Sequence, residues 1–151
     1  MKLKTLLAGA AVMIAVLTLS SCEWFPGYGL SDLQRAQAFV ATANEDPRDP
    51  VAMRAHFHPN TGDYANLNTS EYWELTFFGP DDSPFALSGL KEGGEVGGIA
   101  GTTSLVGTIS SANAAPTTIT FGFLADQYNA RNRLIRYIDI QELGEEIRSI
   151  R

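Results

Sequence analysis

Thr117-Thr118-Ile119-Thr120-Phe121-Gly122-Phe123-Leu124-Ala125 is the stretch on which the fold turns. Ile119, Phe121 and Phe123 fall on one parity and Thr118 and Thr120 on the other, the period of a strand with one face buried and one exposed. A polar loop, Asp126 to Asn132, separates it from Arg133 to Gln141 (RLIRYIDIQ), β-branched and aromatic and therefore a second strand. The short connection makes the two an antiparallel pair.

Working back towards the N-terminus, Glu95 to Ser111 (EVGGIAGTTSLVGTISS) reads as one long strand. Ile99, Leu105 and Ile109 share a parity, and Gly97, Gly98, Gly101 and Gly107 lie inside it. Glycine weakens a strand unless the strand bends there, so these positions predict curvature. Phe85 to Leu90 is a shorter strand, joined to it by a turn at Lys91 to Gly94, and Gly79 to Pro84 is a loop. Beyond Gly144 the chain ends in a charged segment, Glu145 to Arg151.

Helices precede the strands. Ser31 is an N-cap and Gln34 completes a capping box for a helix from about Asp32 to Asn44. Leu33, Ala36, Phe39, Val40 and Ala43 then share a face, with Arg35, Gln37 and Thr42 turned away. Asp46-Pro47 breaks it. Asp49 caps and Pro50 opens a second helix that Pro59 closes, with Val51, Met53, Ala55 and Phe57 inward. Thr69 to Phe78 (TSEYWELTFF) fits either a short helix capped by Asn68, with Tyr72 and Leu75 on one side with Phe77 or Phe78, or a strand. Helices followed by a run of antiparallel strands is the α+β pattern, with the helices filling the concave face of a curved sheet.

In that order and proportion the chain resembles the NTF2-like superfamily. The resemblance rests on the cap-helix-Pro-helix opening, the YW..TFF segment, the glycine-kinked strand and the closing pair TITFGFLAD…NRLIRYIDI. It implies a cone of helices held in a bent antiparallel sheet. It also implies a cavity, whose candidate lining is Tyr72, Trp73, Phe77, Phe78, Phe121, Phe123 and Tyr137. The superfamily includes isomerases, dehydratases and epoxide hydrolases, which place acids, tyrosines or histidines inside the cone.

The N-terminus resembles a bacterial lipoprotein signal. Lys2 and Lys4 are followed by the uncharged run Thr5 to Leu19, and Leu19-Ser20-Ser21-Cys22 stands as the lipobox. That run is 15 residues, short of the roughly 18 to 20 that cross a bilayer. The resemblance implies cleavage after Ser21 and a diacylglycerol on Cys22, the only cysteine. The division is then a signal peptide at 1–21, a lipidated tether at 22–30 and one α+β domain at 31–151. An aspartate after the lipidated cysteine is associated with inner-membrane retention, so Glu23 favours the outer membrane, facing the periplasm, in a diderm source. Trp24, Phe25 and Tyr28 in the tether suit either the membrane interface or the domain's own surface.

Removing Lys2 and Lys4 with no acid takes the net charge from −6 to −8. An acidic surface argues against nucleic acid and against electrostatic adhesion to anionic lipid. Attachment to the membrane then rests on acyl chains at Cys22, each buried methylene contributing about 0.8 kcal/mol. One cysteine allows no internal disulfide, so stability must come from burial.

Catalytic and metal signatures are weak. His56 and His58 are two apart, which on a helix points them well away from a common metal. Asp81-Asp82 and Glu145-Glu146 are adjacent pairs, which do not converge as acid–base partners must. The glycines at 93 to 101 match no phosphate-cradling motif. Asp139, which interrupts an apolar strand, and His56 are the candidate titratable groups for a cone chemistry. The sequence names no cofactor. It points first to a lipid-anchored, non-catalytic module for an envelope protein or a small apolar ligand, and second to an NTF2-like hydrolase or isomerase using the cone. A polar dyad within the cone separates the second from the first.

Overall fold

The computed structural model describes residues 29–93, 101–142 and 145–151. The signal, the lipobox and most of the tether lie outside them, as do Gly97, Gly98 and Ile99. Among the described residues three helices come first: α1 (Asp32–Ala43), α2 (Pro50–Arg54) and α3 (Ser70–Thr76). After a single 3-10 turn at Pro80–Asp82 come five strands, β1 (Ala86–Gly93), β2 (Thr103–Ser110), β3 (Thr117–Ala125), β4 (Arg133–Glu142) and β5 (Glu145–Ile150). They form one sheet in the order β1-β2-β3-β4-β5, with every neighbouring pair antiparallel. The chain is an α+β protein.

The capping box starts α1: Gln34 N donates to Ser31 Oγ and Ser31 N to Gln34 Oε1. Ala36, Phe39, Val40 and Ala43 are buried as their spacing predicts. Two residues depart from the expected face. Leu33 is 45% exposed, and Arg35 is buried because the neighbouring chain supplies acceptors for its guanidinium. At the other end Asn44 clamps the entry to β1, donating from Nδ2 to Phe85 O (2.9 Å) and accepting from Phe85 N (2.7 Å).

Asp49 caps α2 as expected, but the helix stops at Arg54 instead of running to Pro59. Only Met53 is buried within it; Val51 and Ala55 are exposed. The competing interaction lies on β4. β5 reaches only to Ile138, leaving the N-terminal half of β4 with a free edge. Residues 56–58 take that edge in the parallel sense: His58 N donates to Ile135 O (2.7 Å) and Ile135 N to His56 O (2.9 Å). This swings Phe57 into the core. In the 69–78 segment helix prevails over strand, with Trp73 and Phe77 inward; Leu75 is 71% exposed, contrary to the expected face.

In the sheet, β2 runs from Thr103, and Gly101 takes a left-handed φ of +82° just before it; the first part of the strand expected from Glu95, up to position 100, lies outside the described residues. Gly107 does mark a bend. It faces a bulge in β1 between Ser88 and Lys91, where Gly89 has φ +62°. A Cβ at Gly107 would come within 2.8 Å of Ser88 O, so the bulge and a side chain there are mutually exclusive. The charged C-terminal segment is a strand the alternation did not announce, and its Ile150 is fully buried opposite Ile138.

Candidate functional site

The helix-bearing face of the sheet is filled with rings. Phe39 of α1 sits at the centre, with ring centroids 5.3 Å from Phe77, 5.7 Å from Phe57, 5.9 Å from Trp73 and 6.2 Å from Phe121. Phe121 and Phe123 stack at 6.0 Å, and Phe77 meets Phe78 edge-on at 5.0 Å. Trp73, Phe77, Phe121 and Phe123 are at most 1% exposed. The guanidinium groups of Arg148 and Arg48 lie over Phe78 and Phe85 at 5.0 and 5.3 Å. Six of the seven expected lining residues therefore lie in or against one packed aromatic core. Tyr72 is at its margin, where burial, followed by the nearby Asp63 carboxylate, pushes its phenol up.

Tyr137 is a correction. It pairs with Gly122, on the parity opposite Phe121, and so stands on the far face of the sheet. Its ring occupies the space a Cβ at Gly122 would need. Burial and the charge of Asp139 raise its phenol, and Arg151 lies over its ring at 5.5 Å. Asp139 shares this outward parity, pairing with Thr120 and Ser149. It is only 6% exposed, accepting from Ser149 Oγ (2.8 Å) and ion-pairing with Arg151 (3.2 Å). It points away from the aromatic core.

His56 is held from both sides. Arg35 Nη1 lies 3.2 Å from its Nδ1 and Thr42 Oγ1 lies 2.9 Å from its Nε2. Burial, then the Arg35 charge, lower its pKa to about 4, so the ring is neutral at neutral pH. The hydrogen-bond partners of His56 among the described residues are Arg35 and Thr42, and Asp139 is held by Ser149 and Arg151; none of these is the second acid or tyrosine hydroxyl of an acid–base dyad. Among the described residues no group of three His, Cys, Asp or Glu is placed to hold a metal ion.

The open space lies elsewhere. A groove of about 750 Å³ runs past the first turn of α1, walled by Ser31–Leu33, Glu92, Thr102–Leu105 and Arg131. Its base is a closed polar network: Arg133 Nε pairs with Asp32 Oδ1 (2.9 Å), while Thr103 Oγ1 accepts from Arg133 Nη2 (2.7 Å) and donates to Asp32 Oδ2. Glu92 and Arg131 stand exposed on its walls. A second groove of about 460 Å³ lies between α1 and the open edge of β1. Sequence reading missed both, because Asp32 and Arg133 are 101 positions apart and no local spacing relates them. The one available signal was Leu33, an apolar residue that the fold leaves at both grooves instead of in the core.

Fold and site together define an α+β protein with an aromatic-filled sheet face and two grooves along its first helix, one walled by charged and polar residues and one mostly apolar. Compared with known proteins, the chain matches no family model, no curated protein and no solved structure. No helix among the described residues is long and apolar enough to cross a membrane.

Proposed function

We propose that the chain is a lipid-anchored protein of the cell envelope whose folded part is a non-catalytic binding module of NTF2-like build. The anchoring half of this reading rests on the lipobox at Leu19 to Cys22. The non-catalytic half is carried by one observation, the aromatic packing around Phe39. In an NTF2-like enzyme the space inside the cone holds substrate and titratable groups. What supports the reading is that Trp73, Phe77, Phe121 and Phe123 pack together on the helix-bearing face of the sheet, where such a space would lie, and that Asp139 faces the other way. This moves the expected binding surface from the cone to the grooves beside α1. The mixed-charge walls of the larger groove suit a polar ligand or partner segment better than the small apolar ligand expected from sequence.

Metabolic labelling with a fatty-acid analogue tests the anchor. The wild-type chain should be labelled and recovered with membranes, and Cys22→Ser should be neither. Equal labelling of the variant, or a mature N-terminus that does not begin at Cys22, would overturn the anchored reading.

A further inference from the structure

Arg35 is a cation held on the sheet by neutral acceptors. Its Nε donates to Arg133 O (2.7 Å), its Nη2 to Asn132 Oδ1 (2.7 Å) and its Nη1 to His56 Nδ1 (3.2 Å). Asn132 Oδ1 also accepts from Leu30 N, and Leu30 O accepts from Arg133 N (2.9 Å). Arg35 therefore ties together α1, the segment after α2, the start of β4 and the point where the chain enters the domain.

This geometry fixes the imidazole's protonation. A guanidinium only donates, so Nδ1 must be the bare nitrogen, and the Nε2–H then donates to Thr42 Oγ1 (2.9 Å). A proton on Nδ1 removes the acceptor and sets two cations in contact. The charged groups around the ring do not relieve this. Arg35 is the one that acts on it from α1; Arg133 from β4 offers Arg35 a carbonyl, while its side chain is committed to Asp32. Asp126 in the β3–β4 loop acts on Arg35 and is joined to it only through Asn132 Nδ2 (3.1 Å). Phe39, which is uncharged, packs against the ring in a T-shaped contact, centroids 6.0 Å apart.

We propose that His56 and Arg35 form an acid-operated clasp: protonation of His56 expels the Arg35 guanidinium and frees the first turns of α1 and the Leu30 entry from β4, while the aromatic core stays closed. The direction follows from linkage. The folded ring titrates near pH 4 and the free one near 6.5, so the clasp is intact above the higher value and weakens as pH falls towards the lower one. The proposal stands on these contacts and does not depend on what the neighbouring groove binds. It does connect to it, because Asp32, Leu33 and Arg133 are groove walls carried by the clasped elements.

Amide hydrogen exchange on the full chain, expressed as protection factors between pH 7 and pH 4, tests the clasp. Protection at Arg133 N, bonded to Leu30 O, should fall by up to roughly a hundredfold, the limit set by a depression of this size. Phe121 and Ile138 in the sheet should hold theirs. His56→Gln, which keeps a neutral acceptor, should abolish the pH dependence. Parallel loss of protection at Phe121 would show global acid unfolding and overturn the proposal, as would an unchanged profile in His56→Gln. Should that variant not fold, a histidine titration of the wild type and of Arg35→Gln decides. Arg35→Gln must raise the His56 pKa, and no change would overturn the clasp.

Discussion

Gly122 and Tyr137 show how one missing side chain settles the position of a large one. The strand pair brings them opposite each other on the outward face, and the phenol ring lies where a Cβ would be. Gly122→Ala should therefore destabilise the domain by about 1–3 kcal/mol, the usual cost of overpacking. Chemical denaturation of Gly122→Ala, Tyr137→Ala and the double variant checks the cause. The double variant should lose less than the sum of the singles, and strict additivity would mean the ring is not what the methyl meets.

At the scale of elements, the joints carry the specificity. Asn44 closes α1 and at the same time holds both backbone groups of Phe85, fixing where β1 starts. Asn44→Ala should cost about 1–3 kcal/mol, since it leaves a donor and an acceptor at Phe85 unpaired. A loss within experimental error in the denaturation midpoint would show that water replaces the amide there. The short α2 teaches a related lesson. Its cap and its proline were legible, but its end was not. The force that stops it is the free edge of β4, some 80 positions away, which takes up Phe57. For the same reason the C-terminal segment did not read as a strand: β5 exists because β4 offers it partners from Ile138 onward.

For the whole molecule, the elements with strong local signals came through: α1 with its capping box, β3 with its alternation, and the helices-then-strands order. Of the seven aromatic residues singled out, six lie in or against one packed core and Tyr137 stands on the other face of the sheet. Sequence could not say whether that space was open, because the volume filled depends on Phe39, Phe57, Phe121 and the Trp73–Phe77 pair meeting from four separate segments. The bonds from Arg35 to Asn132 and Arg133 and the Asp32–Arg133 pair were hidden likewise, being contacts across about a hundred positions. Xenon titration of the wild-type protein, followed by NMR of its aromatic resonances, measures whether that space is filled. A dry cavity of sufficient size takes up such a probe. The packing around Phe39 predicts no saturable shift at Trp73, Phe77 or Phe121 in the wild type, and a saturable one once Phe121→Ala opens the core. Saturable shifts at Trp73 and Phe121 in the wild type would mean that the space around Phe39 is open, and would contradict the packing described above.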